Sequence, residues 1–60
     1  MKDQMKKEIS RRLHKFAVKA TRESIFLKER LGLRDLKAIE LGHIARQVEE
    51  WSKEIAGEIV

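Results

Sequence analysis

The sequence predicts an all-α fold, an antiparallel hairpin of two long helices that we expect to dimerise into a four-helix bundle. Apolar residues recur every three or four positions in both halves of the chain, without the alternation of a strand. A glycine and an aspartate separate the halves, and proline is absent. Because the chain has 60 residues, we expect one domain over 1–60, with helix 1 at about 3–31, a turn at about 32–35 and helix 2 at about 36–58.

The first helix is predicted from an apolar stripe at helical spacing. Its members are Ile9, Leu13, Phe16, Ala20 and Leu27. Small residues at positions 17 and 24 widen this stripe beyond the seam of a two-stranded coiled coil. The width favours a bundle of several helices.

The second helix is predicted from a matching stripe. Its members are Leu41, Ile44, Val48, Trp51, Ile55 and Ile59. We interpret Phe16 and Trp51 as core residues, whose truncation to alanine is expected to cost about 3–5 kcal/mol. Gly42 costs about 1 kcal/mol relative to alanine inside a helix, so it indicates either the close approach of another helix or a tolerated defect.

Gly32 and Asp35 mark the turn between the helices. A glycine after the last apolar residue is typical of a helix C-terminus, and aspartate is a preferred N-cap. The alternative is one uninterrupted helix, which would place charged residues in the middle of a coiled-coil seam at high cost. Those residues are Glu23, Arg30, Arg34 and Lys37. In the hairpin, Ser24 is expected to face Ile44.

Composition excludes several classes of site. Cysteine is absent, which excludes disulfides and thiolate metal sites. The N-terminus lacks the apolar core of a secretory signal, and no stretch reaches the roughly 20 apolar residues that span a bilayer. We therefore expect a cytoplasmic protein without membrane contact. No catalytic Ser/His/Asp or Cys/His set and no phosphate-binding glycine loop is present, so we expect neither enzymatic activity nor a cofactor.

A chain of this length cannot bury a large core alone. Folding buries only about 60% of the unfolded surface at this size, and small scaffolds without disulfides depend on a metal or on association. We therefore expect a homodimer.

The first helix carries a basic face. Residues 1–31 hold ten Lys and Arg against four Asp and Glu, whereas residues 32–60 hold four against six. Five cations lie opposite or beside the apolar stripe at 100° per residue: Lys7, Arg11, Lys15, Lys19 and Arg22. Such a row can follow the phosphates of a nucleic acid. A solvated face is the favoured interpretation, and Glu8 and Glu29, which interrupt the row, weaken the case for nucleic acid.

A second group of apolar residues lies outside the main stripe, mostly near the turn. Its members are Val18, Ile25, Phe26, Leu33, Leu36 and Ile39. Exposed apolar clusters rimmed by charge are common interaction surfaces, so these residues are candidates for binding a protein partner. They can equally cap the end of the bundle.

Glu40 and His43 form a Glu-x-x-His pattern, which contributes to dinuclear metal sites in ferritin-like bundles. Glu23 on helix 1 is the third candidate ligand. A surface glutamate and a histidine on a helix flank explain the pattern better, because His43 lies well off the stripe. His14 also faces away from the stripe and is expected to be solvated.

In architecture and length, the predicted hairpin resembles the Rop family of plasmid copy-number regulators, hairpin dimers whose first helices contact paired RNA loops. The resemblance lies in the plan of the fold, and no residue is carried over. We expect a small, non-enzymatic regulatory or adaptor protein, of the inhibitor or antirepressor type, that binds a protein partner as a hairpin dimer. The alternative is a regulator that binds RNA or DNA through the basic face. A more remote alternative is a ferritin-like dinuclear metal bundle.

Overall fold

The structure, a computed structural model, describes residues 3–57 as two α-helices. Helix α1 spans Asp3–Leu31 and helix α2 spans Leu36–Gly57, against predicted ranges of about 3–31 and 36–58. The helices pack against each other, which confirms the helical hairpin and excludes one uninterrupted helix. Ile59 of the predicted stripe and the predicted helix end at residue 58 lie outside the described residues.

The hairpin is a rod. Its Cα atoms extend over 43 × 13 × 12 Å with a radius of gyration of 13.7 Å, compared with about 10 Å for a compact domain of this length. Over the residues that the structure describes, neither helix is long and apolar enough to cross a membrane.

The turn forms through the two residues that the sequence marks for it. Gly32 has a φ of +109°, which L side chains rarely adopt, and its N–H donates to the Lys28 carbonyl at 2.9 Å. The Asp35 N–H donates to the Gly32 carbonyl at 3.2 Å. The Asp35 carboxylate accepts hydrogen bonds from the N–H groups of Lys37 and Ala38 at 3.0 and 3.1 Å. Both predicted caps are confirmed.

A seam of small side chains joins the helices. The buried residues of α1 are Ala17, Ala20 and Ser24, and those of α2 are Ala38, Ala45, Val48 and Ser52. Among residues 3–57, therefore, no buried side chain is larger than valine. Small side chains let helix axes approach closely, but each removes little apolar area from water. The seam thus fixes the geometry of the hairpin more than it supplies hydrophobic stabilisation.

Serine hydroxyl groups hold the seam together at both ends. The Ser10 Oγ donates to the Ser52 carbonyl at 2.9 Å, and the Ser52 Oγ donates to the Ser10 carbonyl at 2.7 Å. Nearer the turn, the Ser24 Oγ donates to the Ala38 carbonyl at 2.7 Å. Every buried side-chain nitrogen or oxygen in the described part of the chain has a hydrogen-bond partner, so the seam carries no unsatisfied polar group there.

The register of the two helices differs from the predicted one. Ser24 lies against Ala38 and Gly42 instead of Ile44, about one helical turn closer to the connecting segment. A Cβ added at Gly42 would stand 3.2 Å from the Ser24 Oγ. Gly42 therefore marks the close approach of the two helices rather than a tolerated defect. The prediction aligned the large apolar residues, whereas the structure aligns the small ones.

The assignment of Phe16 and Trp51 to the core is wrong for the single hairpin. Phe16 is 55% exposed and Trp51 is 47% exposed. Each immediately precedes a buried seam residue, Ala17 in α1 and Ser52 in α2, and one position turns a side chain by about 100° around the helix. The predicted stripe therefore divides into a buried edge of small side chains and an exposed edge of large ones.

Candidate protein-interaction surfaces

The chain exposes more surface than a compact monomer of its mass. Its accessible area is 5146 Å², whereas a folded monomer of 7.1 kDa exposes about 4,100 Å². The excess of roughly 1,000 Å² is comparable to the ~800 Å² that each partner contributes to a protein–protein interface of standard size. Ten large apolar side chains among the described residues are at least 37% exposed. The single hairpin therefore leaves many large apolar side chains in contact with solvent.

The first surface lies along one side of both helices, and we call it the aromatic face. Phe16 and Leu41 line one shallow depression on this side together with Ala20, which places the large residues of both stripes on the same side of the hairpin. Positions 41, 44, 51 and 55 follow one another at helical spacing on α2. The aromatic face comprises Ile9, Leu13, Phe16, Leu27, Leu41, Ile44, Trp51 and Ile55.

Side chains in the middle of the aromatic face are about half exposed. Ile44 is 50% exposed, similar to Phe16 and Trp51, and the aliphatic residues around them are partly buried. Lys19 and Glu23 border the depression on α1, so charged side chains edge the apolar surface. An apolar centre with a charged edge is the arrangement of a protein–protein interface.

The second surface is an open groove on the opposite side of the hairpin, which we call the Gly42 groove. It has a volume of about 370 Å³. Its floor is made of small residues: Ala17, Ser24, Gly42 and Ala45. Its walls and its end near the turn are Val18, Thr21, Ile25, Lys28, Arg46 and Glu49.

A histidine–carboxylate pair connects the helices beside the Gly42 groove. The His14 Nδ1 lies 2.8 and 3.0 Å from the two carboxylate oxygens of Glu49. The prediction of a solvated His14 is therefore incomplete, since its side chain is 56% exposed but has a partner on α2. Sequence reasoning missed the pair because His14 and Glu49 meet only in the observed register.

The structure does not bring the predicted protein-interaction residues into one cluster. Val18 and Ile25 line the Gly42 groove, with 37% and 52% of their surface exposed. Ile39 is partly buried and precedes Gly42 by three positions, which places it along the same side of α2.

The remaining three predicted residues lie elsewhere. Phe26 follows Ile25 by one position and is therefore turned away from the groove, and the Arg30 guanidinium lies 4.9 Å from the centre of its ring. Leu33 and Leu36 are at the turn, 77% and 73% exposed. The six residues thus divide between a groove, the outer side of α1 and the turn.

The basic face of α1 is fully available to solvent. All five predicted cations are exposed: Lys7, Arg11, Lys15, Lys19 and Arg22. No Asp or Glu occurs between positions 9 and 22. Glu8, which interrupts the row in sequence, forms an ion pair of 3.7 Å with Arg12. The face therefore carries an uninterrupted positive stretch of about four helical turns.

The candidate metal ligands are not assembled in one hairpin. Glu23, Glu40 and His43 are all exposed. The described residues hold no group of three or more His, Asp or Glu side chains placed to share a metal ion. Glu23 instead borders the aromatic face beside Phe16.

Comparisons with protein families, with curated proteins and with solved structures found no match to this chain.

Proposed function

We propose that the chain is a small, non-enzymatic regulatory or adaptor protein of the cytoplasm that binds another protein as a helical-hairpin homodimer. Two copies associate through their aromatic faces and form a four-helix bundle. One observation carries this proposal: the seam between the helices uses only small side chains, while Phe16, Ile44 and Trp51 remain half exposed on one side. An apolar surface of this kind in a soluble protein marks an interaction site.

A second copy of the chain suits the aromatic face in area and in charge. The whole chain exposes roughly 1,000 Å² more than a compact monomer of its mass, so it has enough surface for one partner's share of a standard interface. The first half of the chain carries ten cations against four acids and the second half four against six. When α1 of one copy lies beside α2 of the other, basic and acidic helices become neighbours around the apolar centre.

Two measurements test the dimer: the molecular mass in solution and the accessibility of Trp51, the single tryptophan of the chain, to a fluorescence quencher. Sedimentation equilibrium should give twice the chain mass of 7.1 kDa at micromolar concentration. Trp51 should be shielded from acrylamide in the dimer and become accessible on dilution, because a second copy covers the aromatic face. The thermal midpoint should rise with protein concentration, since association stabilises the folded state by mass action.

The matched variants are Ile44→Glu and His43→Glu. Both place a glutamate on α2 at adjacent, exposed positions, but only Ile44 belongs to the aromatic face. We expect Ile44→Glu to yield a monomer and His43→Glu to leave the dimer intact. A monomeric parent whose melting is independent of concentration, or a dimer unaffected by Ile44→Glu, overturns the proposed assembly.

A second candidate function is binding to nucleic acid through the basic face of α1. The observation that favours it is the exposed stretch from positions 9 to 22, which holds cations and no acid. With roughly three to five phosphate contacts, affinity for a structured RNA should fall about 40- to 500-fold between 50 and 200 mM salt. The double variant Arg11→Gln/Lys15→Gln should weaken binding, whereas the matched double variant Lys37→Gln/Lys53→Gln on α2 should not. Affinity that is unchanged between the two salt concentrations rules this function out.

A further inference from the structure

The Gly42 groove lies on the side of the hairpin that the proposed dimer leaves open. Phe16 and Leu41 lie on the aromatic face, whereas Ala17 and Gly42 line the groove on the other side of the hairpin. A surface that stays free in the dimer is where an adaptor contacts its partner. The following inference rests on the proposed protein-binding function and specifies the class of partner.

The shape of the groove suits a bulky aliphatic side chain. Its floor carries nothing larger than alanine and serine, and Gly42 contributes no side chain at all. Val18 and Ile25 form an apolar wall on α1. The groove extends from about the level of Ala17 to that of Lys28, which is roughly 16 Å or three helical turns. A leucine or isoleucine projecting from a third helix can enter it, as in helix-in-groove recognition.

An extended strand is the less suitable occupant. The groove lies between two helices, whose backbone N–H and C=O groups are already paired along each helix. It therefore offers no free sheet edge to which a strand could add. A helix, whose own backbone is satisfied internally, needs only side-chain contacts.

The charges around the groove favour an acidic partner. Lys28 stands at the end near the turn and Arg46 on the α2 wall. Over residues 3–57 neither of these cations has an ion-pair partner. The one carboxylate of the wall, Glu49, is already engaged by His14 at 2.8 Å. Within the described part of the chain, the groove thus presents two cations without an ion-pair partner against one carboxylate, which is already hydrogen-bonded to His14.

We infer that the Gly42 groove is the docking site for an acidic amphipathic helix of a partner protein. The helix inserts an aliphatic side chain over Gly42 and Ala45 and pairs acidic residues with Lys28 and Arg46. Since these cations lie near opposite ends of the groove, the acids on the partner are about three helical turns apart and flank its apolar stripe. Complementary charge at both ends fixes the position of the docked helix along the groove.

The experiment uses a designed fluorescent peptide and the full chain. The peptide is a helix of about 18 residues with a leucine stripe flanked by glutamates about three helical turns apart, and its matched partner carries lysines in place of the glutamates. Fluorescence anisotropy should show binding of the acidic peptide at least tenfold tighter than that of the basic one. NMR shift changes should centre on Val18, Ile25 and Gly42. Equal binding of the two peptides, no binding, or shift changes confined to the aromatic face overturns the inference.

Charge-reversal variants test whether the acidic peptide binds to the cations of the Gly42 groove. Lys28→Glu/Arg46→Glu should weaken the acidic peptide at least tenfold and strengthen the basic one. The control Arg22→Glu/Lys53→Gln removes exposed cations that do not line the groove and should change affinity less than threefold. Unchanged affinity in the groove variant contradicts the docking site.

The oligomeric state separates this inference from the proposed dimer. The variant Ile25→Glu should abolish peptide binding while sedimentation still gives a dimer. If Ile25→Glu instead yields a monomer, a second copy occupies the groove and the inference is wrong. If the parent is a monomer that nevertheless binds the acidic peptide through the groove, the proposed dimer fails and the docking site stands.

Discussion

The seam and the aromatic face are adjacent surfaces of the same two helices, yet they use opposite kinds of side chain. The seam consists of alanine, serine and one valine, and three serine hydroxyl groups make hydrogen bonds across it. The aromatic face consists of large aliphatic and aromatic residues, none of which is fully covered. A single step along the helix, from Phe16 to Ala17, separates the two surfaces.

The two kinds of side chain suit two different roles, the selection of a register and the supply of hydrophobic free energy. Hydrogen bonds between fixed partners are directional, so the seam selects one register for the hairpin. Large apolar side chains supply free energy in proportion to the area they bury, with little demand on direction, so we expect the aromatic face to drive the proposed association. In the proposed dimer, the seam sets the shape of the hairpin and the aromatic face supplies most of the stabilisation. Four substitutions test this division, in order of decreasing effect.

The largest effect is expected from Trp51→Ala. When a second copy covers the aromatic face, removing the indole should cost about 3–5 kcal/mol in the free energy of unfolding of the dimer, measured by urea denaturation. The matched control is Phe26→Ala, because Phe26 is also 47% exposed in the single hairpin but lies outside the aromatic face. Its loss should cost about 1 kcal/mol or less, chiefly the contact with Arg30. Similar costs for both variants contradict the covered face.

Substitutions that enlarge a seam side chain should destabilise the hairpin, because the side chains of the seam are already small and closely packed. Ala38 is 0% exposed, so Ala38→Leu forces the helices apart and should destabilise the hairpin by about 1–3 kcal/mol. Ala56→Leu is the control, since Ala56 is exposed on the same helix. Circular dichroism during thermal melting measures both. A parent-like melting curve for Ala38→Leu means that the seam is looser than the structure indicates.

A smaller loss is expected from the hydroxyl pair at the end away from the turn. Ser10→Ala/Ser52→Ala removes the two reciprocal hydrogen bonds and should cost about 1–2 kcal/mol in total. The backbone carbonyls that accept them belong to helices and keep their helical partners. Hydrogen exchange should accelerate near this end first. Protection that is unchanged there shows that the pair does not hold the helices together.

The smallest effect is expected at Gly42. Gly42→Ala gains up to about 1 kcal/mol of helix propensity, but the new Cβ stands 3.2 Å from the Ser24 Oγ, which its bond to Ala38 holds in place. We expect the two contributions to offset each other. In a Ser24→Ala background the oxygen is gone, and the same substitution should stabilise the hairpin by about 1 kcal/mol. Additive effects in this double-mutant cycle rule out the close contact.

The fold was accessible to sequence reasoning because its signals are local. Helical spacing shows within a few residues, and Gly32 and Asp35 act on their own neighbours, so the hairpin and both caps follow from the sequence. The register did not, because it depends on which residues of one helix meet those of the other. Small residues such as Ala17 and Ser24 carry little hydrophobic signal, and they nevertheless determine how closely the helices approach.

The candidate surfaces were accessible only in part. The exposed basic face follows from counting charges along α1. The Gly42 groove does not, because it exists only where Gly42 lies beside Ser24 and where Val18 and Ile25 rise above that floor. The pairing of His14 with Glu49 was not predicted, for the same reason. Each of these features depends on distances between residues that are far apart in sequence.

The hydrogen bonds that serine hydroxyl groups make at the two ends of the seam also differ in the length of the chain loop between their partners. Ser24 and Ala38 are 14 residues apart, whereas Ser10 and Ser52 are 42 residues apart. Because the entropy of loop closure grows with the logarithm of length, the longer closure costs about 1 kcal/mol more. We therefore expect the hairpin to close first at the turn and last at the other end. Trp51 adjoins Ser52, so its fluorescence should report that last step.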